Sequence, residues 1–156
     1  MWIIEDTRQK TGEHETKHEY WSAKSISVFR CKLPFGDYAL PPKIAIDTKA
    51  NMSEIAQNLT NEHRRVANEV EQANKCGCKL IFLVENHENV KELEDVKKWK
   101  NPRRFYSDKA VKGETLYKIM NTMQRHYDCE FRFCKPEDAG RIVEEILTDE
   151  YKQSKT

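Results

Sequence analysis

Residues 35–49 read FGDYALPPKIAIDTK. Two short apolar stretches, Tyr38–Leu40 and Ile44–Asp47, are separated by Pro41 and Pro42. Two prolines cannot both serve a central ladder, since neither has an N–H to donate, so a hairpin turn is expected between the stretches. Asp37, Asp47 and Lys49 then fall at strand ends or in a sharp turn. Two carboxylates and an ammonium so placed are the groups that a hard divalent cation and a phosphodiester need. Taken singly each is ordinary. An aspartate after a glycine is usually a turn former, and a lone lysine is usually a surface charge.

Working outward, Trp2–Ile4 predicts a first strand, with Glu5, Asp6 and Arg8 at or beyond its C-terminal end. Residues 10–20 are polar and fit a loop or a weak helix, with Tyr20, Trp21 and Ile26 as apolar anchors. Ser27–Leu33 alternates as a strand, and Pro34, Gly36 and Asp37 mark a turn. After Lys49, Asn51 and Glu54 have capping-box spacing. Ile55, Leu59, Val66, Val70 and Ala73 recur at helical period, in one long helix or in two pieces broken near Thr60–Asn61. KLIFLV, residues 79–84, predicts a strand buried on both faces. Glu88–Lys98 predicts a surface helix, and residues 99–110 are irregular. Residues 114–126 predict a helix with Met120 and Met123 as core filler. Cys129, Phe131 and Phe133 alternate as a strand, and a last helix runs from Pro136 through Leu147. The expected fold is α/β, a central mixed β-sheet flanked by helices, in one domain over residues 1–150 with a polar tail at 151–156.

The chain has 156 residues, 27 Lys and Arg against 26 Asp and Glu, and a formal charge of +1. A balanced total leaves nucleic-acid binding open, because affinity depends on where the cations gather. The 5 cysteines include only a C-x-C pair and fit reduced thiols better than a zinc knot. MWIIEDTRQK lacks a signal-peptide pattern and no apolar run is long enough to span a membrane. A soluble protein of a reducing compartment is expected, in the cytoplasm of a bacterial or phage-infected cell.

Gly36-Asp37-Tyr38, Asp47-Thr48-Lys49, Glu54 and the Asp6-Thr7-Arg8 run resemble the motif set of the XPF/ERCC4-type nuclease family, written GD…ERK…D. His63-Arg64-Arg65-Val66 with Glu69 and Ala73, KLIFLVEN and KGETLYKIM resemble the following helix, core strand and closing region. The resemblance covers most of the chain and is weakest over residues 99–112. It implies a restriction-endonuclease-like core. Asp47 stands where the family has glutamate and Thr48 where it has arginine. Glu54 lies one residue beyond the family's last aspartate. The sequence contains neither the helix-hairpin-helix domain nor the helicase part that often accompany this nuclease, which implies a small stand-alone member of phage or bacterial type.

The resemblance implies Mg²⁺ or Mn²⁺ held by Asp37 and Asp47, with the Thr48 carbonyl and Asp6 as further ligands. Glu54 would bind a second ion, position water or hold Lys49. Lys49 would stabilise charge on the scissile phosphate, because a lysine of ordinary basicity is a poor general base. Glu85 is a weaker candidate that equally caps the following turn. Arg8, Lys10, Arg64, Arg65, Lys98, Lys100, Arg103 and Arg104 are candidate DNA contacts. Trp99 and Phe105 either stack on an exposed base or anchor their loop to the core. His14 and His18 are read as surface residues, and His63 as the start of the helix carrying Arg64 and Arg65.

The expected function is a metal-dependent DNA endonuclease for branched or flap DNA, resembling Holliday-junction resolvases, acting as a homodimer with a face on the late helices. Two alternatives stand beside it: an inactive nuclease-fold protein that binds DNA or a partner, and a repair or restriction-like nuclease of duplex DNA. A scaffold without nucleic-acid binding is the blandest reading.

Overall fold

The computed structural model describes residues 2–12, 15–34 and 36–153, with side chains through Asp149. His14 and Phe35 lie outside the described residues, as do positions 154–156 of the expected tail. The chain divides into two compact units, residues 1–42 and 43–156.

The first unit is a β-α-β unit with one added strand. Strand β1 (Trp2–Asp6) leads through helix α1 (Glu15–Ala23) to β2 (Ser27–Cys31), which pairs parallel to β1. Parallel neighbours need such a crossover, because a tight turn can only reverse the chain. Strand β3 (Tyr38–Ala39) pairs antiparallel on the other side of β1, giving the mixed order β2-β1-β3. Gly36 has φ of 75°, in the left-handed region that a residue without a Cβ enters cheaply, and it turns the chain into β3. Helix α1 has no buried residue, which explains its weak periodicity in the sequence.

The second unit is wholly parallel, in the order β4-β5-β6, with β4 (Ile44–Lys49), β5 (Lys79–Glu85) and β6 (Cys129–Cys134). The strands therefore form two ladders, the first mixed and the second parallel. The expected hairpin is absent: β3 pairs with β1 and β4 with β5. Pro41 and Pro42 end one ladder before the next begins, as residues without an N–H must.

Helix α2 (Met52–Asn61) and helix α3 (His63–Lys75) are separate, broken at Glu62. They cover one face of the parallel sheet together with α4 (Gly113–His126). Met52, Ile55 and Leu59, then Val66 and Val70, then Leu116, Met120 and Met123 meet Leu80, Phe82, Val84 and Phe131 in one cluster. The Phe82 and Phe131 rings stack with centroids 5.0 Å apart. Burying each such aliphatic or aromatic side chain contributes about 1.5–3 kcal/mol. Ile81 and Leu83 point to the opposite face, where α5 (Ala139–Gln153) packs on β4 and buries Ile146. The last helix thus runs beyond Leu147, entered through a 3₁₀ turn at Pro136–Asp138.

The surface helix expected over 88–98 is only a 3₁₀ turn, Leu93–Lys98. Asn86 explains its late start. Its buried amide donates to the Val90 carbonyl at 2.9 Å and accepts from the Val90 N–H at 3.0 Å, closing a loop after β5. The 3₁₀ turn then lies against the first turn of α4. A Cβ on Gly113 would meet the Val96 carbonyl oxygen at 2.4 Å and that of Trp99 at 2.5 Å. Backbone atoms cannot swing aside as a side chain can. Gly113→Ala should therefore lower unfolding free energy by about 1–3 kcal/mol, read from the urea midpoint. Gly140→Ala, whose Cβ meets nothing within 4 Å, should leave the midpoint unchanged or raise it.

Candidate active site

The predicted site residues fall in both units. In the first, the C-terminal ends of β1 and β2 and the turn before β3 are tied by backbone bonds. The Asp6 N–H donates to the Asp37 carbonyl at 2.8 Å and the Thr7 N–H to the Cys31 carbonyl at 3.2 Å. This brings Asp6, Arg8 and Asp37 together.

Asp6 is fully buried. Its Oδ1 accepts from the Arg8 N–H at 2.7 Å and Arg8 Nε at 2.8 Å, and its Oδ2 from Arg8 Nη2 at 2.6 Å and the Leu33 N–H at 2.9 Å. Four donors fill the positions a metal would use. Here Asp6 is the clasp of the 6–12 loop, and Arg8 is bound to it. The Arg8 side-chain bonds, with the backbone N–H groups of Arg8 and Leu33, hold the Asp6 carboxyl far below the usual range, against the opposing effect of burial. Asp37 is exposed, and its Oδ1 accepts from Gln9 Nε2 at 2.6 Å. The sequence reading did not single out Gln9.

Glu5 was also missed. It is buried, with Arg30 Nε 3.1 Å from its Oε1 and His18 Nε2 2.6 Å from its Oε2. His18 is exposed, as expected, and it is also a partner of this buried carboxylate. The available signal was an acidic pair at the end of an apolar strand, since a buried carboxylate demands a cation.

In the second unit Asp47 and Lys49 stand two residues apart on β4, and so on one face. Their register partners are Phe82 and Val84, so that face is the one packed by α2, α3 and α4. Lys49 Nζ lies 2.9 Å from Asp47 Oδ2, with side-chain exposures of 8% and 23%. The buried end of the pair is the ammonium, and the more open end is the carboxylate. Arg65, in the first turn of α3, is held by Glu62 Oε2 at 2.6 Å. That bond, with attraction from Glu69 and Asp47, raises the Arg65 guanidinium further above its ordinary range. The Thr48 side chain belongs to the opposite strand face.

Glu54 caps α2. Its N–H donates to Asn51 Oδ1 at 2.8 Å, and its Oε2 accepts from the Ala50 N–H at 2.7 Å. The carboxylate is thereby turned back toward the end of β4. Glu85 closes β5 opposite Cys134. Among the described residues, no three His, Cys, Asp or Glu side chains gather as a metal-binding group.

The basic residues are put to different uses. Arg64 is exposed in α3. Lys98 and Lys100 are exposed on either side of Trp99, which is itself buried at 6% exposure and anchors the loop. Arg103 Nη1 donates to Gln57 Oε1 at 2.5 Å. Arg104 Nη1 donates to the carbonyls of Asp108 at 3.1 Å and Ala110 at 2.8 Å, so it braces its own loop. Phe105 is 87% exposed.

The Asp6 clasp makes a pH prediction. Its folded-state pKa is depressed, so its stabilisation is complete above the unfolded aspartate value of about 3.9 and is lost as pH falls toward the lower folded value. Acid titration of stability should show this loss in the parent protein. Asp6→Asn should be less stable at neutral pH and show a flatter acid limb. An unchanged acid limb would remove the clasp from the account.

Residues 6–146 match the ERCC4 domain. No curated protein matches the chain. Among solved structures it is similar to XPF from Aeropyrum pernix, at 18% identity and a TM-score of 0.47, over 94% of this chain and 63% of that one. It is also similar to XPF from Aeropyrum pernix in complex with DNA, at 17% identity and a TM-score of 0.49, over 98% of this chain and 66% of that one. The chain therefore spans somewhat less than two thirds of the length of these archaeal structures. The domain match runs through both units and takes in the clasp, the Asp47–Lys49 pair and the capped start of α2, and on that ground the chain belongs to the ERCC4 domain family, the XPF-type nuclease domains with a restriction-endonuclease-like fold.

Proposed function

We propose that the protein is a divalent-metal-dependent DNA endonuclease that hydrolyses phosphodiester bonds in branched or flap DNA. The observation that carries this is the Asp47–Lys49 pair on β4 within the matched domain. The two units are read as one nuclease domain because a single family match runs through both.

The donor chemistry fits Mg²⁺ or Mn²⁺. These are hard cations that take carboxylate and carbonyl oxygens, and Mg²⁺ keeps several waters while using one or two carboxylates. Asp47 and the Thr48 carbonyl are the donors assigned in the second unit, and Asp37 is the carboxylate assigned from the GD motif. A bound cation would supply charge neutralisation at the phosphate and a more acidic water. Lys49 supplies a fixed positive charge at the end of β4. Its burial among apolar neighbours strengthens that charge's effect on a phosphate relative to one in water. Lys49 also fixes one Asp47 oxygen, which orients the carboxylate. Glu54 holds the chain turn between β4 and α2, and from there it would position water or a second ion. Arg64 and Arg65 on α3, with Lys98, Lys100 and Arg103, are the proposed phosphate contacts, and Lys10 and Arg8 belong to the same proposal. We further propose a homodimer working on DNA inside a bacterial or phage-infected cell. No helix among the described residues is long and apolar enough to cross a membrane.

Asp47→Asn keeps an oxygen acceptor for Lys49 but removes its counter-charge, so the variant's urea midpoint is measured beside its cleavage rate to separate lost chemistry from lost folding. With Mg²⁺ or Mn²⁺, cleavage of flap and junction DNA should fall at least ~100-fold, a loss of about 2.7 kcal/mol in transition-state stabilisation. DNA affinity should stay within a few-fold. Asp37→Asn should do the same. Cleavage at the parental rate by both variants would refute the site. Absence of cleavage by the parent on flap, junction and duplex DNA, with binding intact, would favour the inactive DNA-binding reading.

A further inference from the structure

Phe105 and Tyr106 are the most exposed large hydrophobic residues described, at 87% and 88%. Their rings meet edge to face with centroids 5.1 Å apart. Two adjacent aromatics left in water cost hydration free energy that a folded monomer ordinarily avoids, and their support is well built. Trp99 is buried at the loop's start. Buried Asn101 donates to the Val111 carbonyl at 2.9 Å and accepts from the Arg103 N–H at 3.1 Å, closing the loop's base. Arg104 binds the carbonyls of Asp108 and Ala110 from within. The ring pair is thus the tip of a braced projection.

The charge around the tip selects the occupant. Residues 97–112 contain seven Lys or Arg and one acidic residue, Asp108. Arg103 and Lys109 also line a hollow between the loop and α2, with Ser53, Gln57 and Thr60. An apolar protein partner would not call for this density of cations. A nucleotide needs both parts, since its base offers a flat face for an aromatic ring and its phosphate seeks a cation.

We propose that Phe105 and Tyr106 form a stacking platform for an unpaired nucleobase of the DNA substrate, with Arg103 and Lys109 holding the adjoining phosphate. The inference rests on the DNA-cleaving reading above and deepens it, assigning the tip of the 99–111 loop as the element that holds the unpaired nucleotide. A base inside a duplex is stacked on both sides and presents no free face, whereas each unpaired nucleotide of a flap does, so the platform favours flapped over fully paired DNA. Of the two readings for Trp99, stacking on a base or anchoring the loop, its burial supports the anchor.

The test uses the full chain, in EDTA so that cleavage does not intrude, with a flap duplex, a blunt duplex of the same length, and a flap carrying 2-aminopurine in its unpaired strand. Phe105→Ala/Tyr106→Ala should lower flap affinity about 10-fold or more, abolish the 2-aminopurine quenching and leave blunt-duplex affinity and the salt slope unchanged. Phe105→Trp/Tyr106→Trp should restore quenching. Arg103→Ala/Lys109→Ala should weaken both DNAs and flatten the salt dependence. Unchanged flap affinity in the double alanine variant overturns the platform and leaves the rings as a protein-binding surface. Equal loss on both DNAs also overturns it. Tip-dependent flap binding by a parent protein that cuts no DNA would sink the endonuclease reading alone. Normal cleavage with a dispensable tip would sink the platform alone.

Discussion

An ammonium on the core-facing side of a strand is tolerable only beside a carboxylate. Lys49 is that ammonium and Asp47 that carboxylate, 2.9 Å away. Desolvating a charge in a low-dielectric interior costs several kcal/mol, and a close opposite charge offsets much of it. The arrangement constrains its surroundings. Strand β4 must present residues 47 and 49 to the side of Phe82 and Val84, and α2 must begin almost at once. Asn51 and Glu54 make that abrupt start stable by exchanging bonds with the chain around it. A one-residue slip of β4 would send both charges to the opposite face and bring Thr48 onto the core face. Register, cap and charge pair are therefore one requirement met three ways.

The second unit was largely legible in the sequence. KLIFLV announced a strand buried on both sides, and β5 is that strand. The apolar periods of α2, α3 and α4 were clear because each helix buries one stripe against the sheet. The first unit was less legible because its order comes from polar bonding. Helix α1 has no fully buried residue, and the 6–12 loop is organised by Asp6 and Arg30, whose partners are scattered along the chain. Periodicity does not encode such bonds. The hairpin reading failed at the proline pair because proline excludes ladder pairing without saying which ladder the chain joins next.

The candidate site divides along the same line. Asp47 and Lys49 were legible as a pair, since a spacing of two on a strand places them together. Glu54 carried two readings, cap and reactive group, and the structure shows the cap. Asp6 fits the family motif by position, yet its environment is that of a carboxylate saturated by donors. A motif records which residue stands where, and the lone pairs already spoken for become visible only in the fold. Trp99 and Phe105 were equivalent in sequence, both aromatics in a basic loop. Folding buries one and leaves the other in water.

The bracing of residues 99–111 also bears on how this protein can change. Its bonds run among Asn101, Arg104 and backbone atoms, Trp99 holds it by burial, and the side chains at 105 and 106 take no part. Substitution at the tip leaves the scaffold's bonding intact. Selection can therefore alter what the projection touches without endangering the core beneath it, a separation of scaffold from reader resembling that of antibody loops on their framework. Closely related chains should differ more at 105 and 106 than at 99, 101 and 104, with substrate preference following the tip.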